Sequence, residues 1–178
     1  MRLLARAATT LIAASCSTSA PSGDPATLGH TAYVVPSGWS AKDLSTHQRA
    51  LFEWTPSSGE NESGANDHKE SLDVFRADRP ALARAKNGEH HIEQLLQDAV
   101  QKLPGGAFGA PTHFTTTYGL RGVRVEGRFT PSGQKASYTR FHAVLVEGAS
   151  LLHVVYTARD ADRDHFDLVV DSFRAEGV

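Results

Sequence analysis

The chain has 178 residues, 40% apolar and 21% charged, and its 18 Lys and Arg against 20 Asp and Glu leave a net charge of −2. That length and composition suit one globular domain with a short appendage, and the charge balance lacks the basic excess of a nucleic-acid-binding surface. No apolar run reaches the roughly 18 residues of a membrane-spanning helix, and the single Cys excludes both an intramolecular disulfide and a zinc site built on several thiolates.

Residues 1–15 read MRLLARAATTLIAAS, with Arg2 and Arg6 ahead of a short run of small and apolar side chains and no acid before Asp24. This is the layout of a secretory signal peptide. The one Cys follows at position 16. Leu11-Ile12-Ala13-Ala14-Ser15-Cys16 resembles a bacterial lipobox, with Ala13 where Leu is commonest. The resemblance implies that Cys16 carries a diacylglyceryl group and that acyl chains such as palmitate anchor the protein to a membrane of the bacterial cell envelope. Two other readings stand beside it: cleavage near Ala20 that discards Cys16, and a buried structural thiol. Residues 16–29 are rich in Ser, Pro, Ala, Gly and Thr, the composition of a lipidated flexible tether. A single α+β domain is expected over residues 30–178.

Within that domain, Thr31 to Pro36 reads as a strand, and Pro36-Ser37-Gly38 as a turn into Trp39. Alternation at Ala50, Phe52 and Trp54 predicts a second strand that Pro56 ends. The polar stretch from Pro56 to Asp67 is expected to be a mobile loop, and Ser71 to Ala77 resumes as a strand. Ile92, Leu95, Leu96, Ala99, Val100 and Leu103 share one face of a helix that starts near Asn87-Gly88 and stops at Pro104-Gly105-Gly106. Strands follow over residues 113–118, 122–129, 137–146 and 151–158, the last two joined by a tight turn with Gly148 first. A final helix starts near Asp160 or Asp162 and carries Phe166, Val169, Val170 and Phe173 as its apolar stripe. The expected fold is α+β: an antiparallel sheet with packed helices.

Val34-Val35-Pro36-x-Gly38-Trp39, the central amphipathic helix, the antiparallel strands and the terminal Val170-Asp171-Ser172-Phe173 together resemble the PsbP-like superfamily. The likeness spans roughly residues 30–175 and implies an α/β/α sandwich around an antiparallel sheet. Members include photosystem II accessory subunits, a nuclear Ran-binding protein and small bacterial lipoproteins. The resemblance therefore implies a binding or assembly role without shared catalytic machinery, and it assigns no site residue.

Candidate chemistry comes from the strand register. Pairing Glu147 with Ser150 puts Phe141, Ala143, Leu145, Leu152, Val154 and Tyr156 on a core face, with His142 and His153 diagonal on the other. Pairing Val125 with Phe141, so that apolar faces agree, adds Arg124 opposite His142 and Glu126 opposite Arg140. The resulting candidate ligand face is Arg124, Glu126, Arg140, His142 and His153, with Arg128 and Tyr138 beside them. It reads as an anion clamp or a metal pocket, or as an ordinary solvated sheet face with cross-strand charge pairs. Glu89-His90-His91-Glu93 opens the central helix, where His90 and Glu93 could share an ion or simply answer the helix dipole. No G-x-S-x-G elbow, HExxH pair or phosphate loop occurs, and no cofactor motif is present. Trp39 and Trp54 read as core rather than as a binding platform. The sequence thus points to a membrane-anchored lipoprotein that is not an enzyme and serves as an accessory module for an envelope protein partner. The alternative is a small-anion or metal-binding lipoprotein using the polar sheet face.

Overall fold

In the computed structural model, the structure describes residues 22–42, 48–54, 70–79, 88–133, 135–159 and 162–175. The leader, Cys16 and the loop expected at 56–67 lie outside these residues. Strands β1 (Gly23–Leu28), β2 (Thr31–Pro36), β3 (Ser40–Lys42), β4 (Arg49–Trp54) and β5 (Glu70–Asp78) precede helix α1 (Gly88–Gln101). Then come β6 (Ala107–Phe108), β7 (Thr112–Thr115), β8 (Arg121–Phe129), β9 (Tyr138–Glu147) and β10 (Ser150–Ala158). Helix α2 (Arg163–Ser172) and strand β11 (Arg174–Ala175) end the described chain.

Eight strands form one antiparallel sheet in the order β3-β4-β5-β10-β9-β8-β6, with β7 also on β8, and β1-β2-β11 form a second sheet of three. Residues 23–28, expected in a tether, are therefore a paired strand, and the folded domain begins before residue 30.

The α/β/α sandwich is corrected. Of the described residues, 53% lie in strands and 19% in helices, and there are only two helices. A helix about 10 Å across covers roughly two strands at about 4.8 Å spacing. One helix of 14 residues and one of 10 cannot form layers over this sheet. The described residues are mostly antiparallel β.

The β9–β10 hairpin has the expected register, Glu147 opposite Ser150, and Gly148 sits at φ +57, which both primed hairpin turns require at that position. On one face of the sheet, Phe141, Leu145, Leu152, Val154 and Tyr156 pack under α2 with Phe166, Val169, Val170 and Phe173. Tyr33 of the small sheet joins them, its ring stacked on Phe173 at 4.8 Å. Trp39 packs against the same cluster, 5.9 Å from the Tyr156 ring, as the core reading of this residue expected. On the opposite face, Ile92, Leu96 and Val100 of α1 rest on Val123, Val125, Val144 and Leu151. Both faces of β8, β9 and β10 are thus covered in part, each by its own helix.

A half-buried polar network ties the small sheet to the large one. Arg76 of β5 donates to Thr31 Oγ1 at 2.7 Å, to Glu147 Oε2 at 2.9 Å and to Ser150 Oγ at 3.1 Å. Ser150 in turn donates to Asp78 at 2.7 Å. The Arg76 charge is met by a carboxylate and two hydroxyls, the condition under which such a group is tolerated away from water.

Candidate functional site

The register of β8 decides where the candidate residues go. Val125 pairs with His142, not Phe141, so Arg124 stands opposite Ala143 and Glu126 opposite Phe141. This one-residue difference moves every β8 side chain to the other face. The physical reason is α1. The apolar residues of β8 (Val123, Val125 and Phe129) do not join the α2 core; Val123 and Val125 form the floor beneath α1. The five predicted ligand residues are consequently split. Arg140, His142 and His153 share the α1 face, and Arg124 and Glu126 lie on the α2 face.

On the α1 face the two imidazoles are diagonal, as expected, with ring centroids 5.3 Å apart and His142 Nδ1 bonded to His153 Nε2 at 3.0 Å. Burial is the main reason that both titrate low: His142 is lowered to about 3 and His153 to about 4, with each other's and Arg140's charge acting in the same direction on His142. The pair is neutral at pH 7, with one N–H shared in the bond between them. Arg140 donates from Nε to Thr157 Oγ1 at 2.9 Å and lays its guanidinium over Phe129, 4.2 Å from the ring centroid. Burial lowers its affinity for a proton, and Asp73 opposes that. Arg49 donates twice to Asp73 and covers the Phe75 ring at 4.9 Å. Asp73 is thus met by Arg49, and Arg140 by the Thr157 hydroxyl and the Phe129 ring. This face is a packed polar layer rather than an open solvated face, and His142 Nε2 is buried without a partner among the described residues. No three His, Cys, Asp or Glu side chains converge as a metal-ligand set among the described residues.

The start of α1 behaves as its charges dictate. Glu93 is the acceptor for His90, 3.5 Å away, and for His113 of β7. The hydrogen bond from His113 is the main cause of its lowered carboxylate pKa. The role of His113 was not legible beforehand, because β7 comes to α1 only through its pairing with β8.

On the α2 face, Arg124, Glu126 and Arg128 alternate along β8 beside the flank of the helix. Arg124 bonds Asp167 at 3.1 Å, and Arg163 at the first turn of α2 bonds Glu126 at 3.0 Å and Asp167 at 3.4 Å. Together with β6 and β7 they enclose a cleft of about 860 Å³ whose floor includes Thr139, Phe141 and Phe166. One wall is a β-bulge: the register on β8 shifts by one residue between β6 and β7, and Gly109 N–H donates to Glu126 O at 2.9 Å across it. Gly127 is required there, because a Cβ at this position would lie 2.4 Å from the Ala107 carbonyl. The sequence showed Arg124, Glu126 and Arg128 as an alternating set. Nothing in it showed that Arg163, thirty-five residues further on from Arg128, closes the same cleft.

No known protein-family model matches this chain, and no curated protein sequence does. Solved structures do. LpqN of Mycobacterium tuberculosis, involved in cell envelope biogenesis, aligns at TM-score 0.57 and 15% identity over 86% of this chain and 85% of its own. A Pseudomonas aeruginosa protein of unknown function, PA94, aligns at 0.49 and 16% over 82% of this chain and 88% of its own. The comparisons do not confirm the PsbP-like resemblance. What they establish is architecture: this chain shares its fold with LpqN.

Proposed function

We propose that this is an exported protein, anchored to a membrane of the bacterial envelope through lipid on Cys16, whose domain is a non-enzymatic binding module for another envelope protein. The observation that carries the proposal is the fold shared with LpqN over 86% of the chain, LpqN being a protein involved in cell envelope biogenesis. The leader supports export, and no helix among the described residues is long and apolar enough to cross a membrane. A kinship to PsbP-like accessory proteins belongs to the same reading. The residues that carry it join the two ends of the domain: Trp39 packs on the core, Phe173 is fully buried, and Ser172 Oγ accepts from Val34 N–H at 2.8 Å.

The test has two arms on the full-length chain. Cys16→Ser should move the protein from the membrane fraction to the soluble fraction, and unchanged membrane association would overturn the anchor. In-cell crosslinking should capture one envelope protein in near-stoichiometric amount, and a capture no different from that of an unrelated lipoprotein would overturn the accessory role.

A further inference from the structure

We propose that the cleft between β8, the β6–β7 bulge and the first turn of α2 binds a phosphomonoester group of a small molecule, with Arg124, Arg128 and Arg163 as its recognition groups. This assignment is independent of the anchor and of any protein partner. It keeps Arg124 and Glu126 of the ligand face read in the sequence and leaves out Arg140, His142 and His153, which lie on the other side of the sheet.

The cavity is the right size for a small ligand: about 860 Å³, within the range of small-molecule sites. Its lining carries three guanidinium groups and one carboxylate, Glu126; with Asp167, which pairs with Arg124 and Arg163, two carboxylates meet three guanidiniums, and one positive charge is left over. Arg128 is exposed and makes no ion pair or hydrogen bond among the described residues. Arg163 and Arg124 are engaged, but in partly exposed pairs at 3.0–3.4 Å with Glu126 and Asp167. Pairs of that kind contribute little to stability, so an entering dianion can take over their donors at little cost.

Geometry also favours phosphate over a single carboxylate. A guanidinium presents its donors as a planar fork that suits either oxyanion in pairs. Three guanidiniums approaching from two elements, β8 and α2, can satisfy three tetrahedral oxygens together, whereas a planar carboxylate offers two. Asp164, the acid of the first helical turn, lines a separate depression with Tyr118, Asp167 and Asp171. It therefore does not cancel the charge of the cleft. The floor of Phe141 and Phe166, ring centroids 5.2 Å apart, is fixed by the core. The arginines are thus mounted on a rigid base, as a recognition site requires.

The experiment is an NMR titration of full-length protein in detergent with glycerol 1-phosphate, inorganic phosphate and acetate, following the Gly109 and Gly127 amides and the arginine Nε–H signals. Saturable shifts with both phosphate probes, weakened about tenfold or more by Arg128→Gln and by Arg163→Gln and unaffected by Arg140→Gln, support the site. Arg128 is on the surface, so an unchanged melting temperature will show that its variant is folded. Absence of saturable shifts overturns the proposal. So does equal binding by the Arg128→Gln variant, or a response confined to the Arg140 side of the sheet. Acetate binding as tightly as phosphate overturns the phosphomonoester assignment.

Discussion

Beneath α2 the large sheet is packed with rings. Phe141 stacks on Tyr156 at 5.9 Å and on Phe166 at 5.2 Å, and Tyr33 stacks on Phe173. Beneath α1 the contact is aliphatic, made by Ile92, Leu96, Val100, Val123, Val125, Val144 and Leu151, and it gives way along the sheet to the Arg140–His142–His153 layer. The difference teaches that the two faces have separate tasks. The aromatic face gathers both ends of the described domain and both sheets. The aliphatic face seats one helix and leaves room for a buried polar layer.

The most direct way to break that distinction is to empty one core at a time. Phe166→Ala removes a ring that is 2% exposed and should cost about 3–5 kcal/mol, read by urea denaturation, with loss of the near-ultraviolet circular dichroism of the whole domain. Leu96→Ala beneath α1 should cost about 2–3 kcal/mol and leave that aromatic signal intact. If Leu96→Ala abolishes it, the two faces do not act separately.

The imidazole layer sharpens the comparison through pH. Both histidines titrate below their ordinary 6.5 in the folded state, so the unfolded chain binds more protons than the folded one from about pH 6.5 down to about 3–4. Stability is therefore full above pH 6.5 and falls as the pH drops through that window, by up to about 1.4 kcal/mol per pH unit for each imidazole. Denaturation midpoints measured from pH 7 to pH 4 should show this slope, and a His142→Phe/His153→Phe variant should reduce it. An unchanged slope would place the acid sensitivity elsewhere.

Smaller effects follow from the ion pairs. Arg76→Ala should cost about 1–3 kcal/mol, because Thr31, Glu147 and Ser150 lose a shared charged donor. The Lys42–Glu53 pair at 2.8 Å is partly exposed, and Lys42→Ala should change stability by less than about 1 kcal/mol. A larger loss for Lys42 than for Arg76 would reverse the ranking of edge and interior.

Much of the fold was legible because local signals agree with one another. The period-3.6 stripe from Ile92 to Val100 forms α1, Asp162 caps α2 by accepting from Asp164 N–H at 2.9 Å, and the turn at Gly148 sets the β9–β10 register. The candidate site was less legible. Alternation along β8 is unmistakable, but it does not say which face is which once both faces are covered. Val125 fits a floor under α1 as well as one under α2, so the choice of partner for Phe141 rested on an assumption that one face would be wet. Residues 23–28 failed for another reason. Gly-Asp-Pro-Ala-Thr-Leu has the composition of a linker, and its strand exists only because β2 supplies the ladder.

The last described strand has a consequence for when the domain can fold. β11, two residues long, pairs with Ala32 and Thr31 of β2 at the opposite end of the chain, and the adjoining Phe173 has no exposed surface. The small sheet and the aromatic core therefore cannot close until residues 173–175 are available, and contacts that distant in sequence form slowly because the intervening chain must be ordered first. A chain still emerging from the ribosome holds its first strands without their last partner. Until residues 173–175 emerge it remains threadable, which is the state that the proposed export requires.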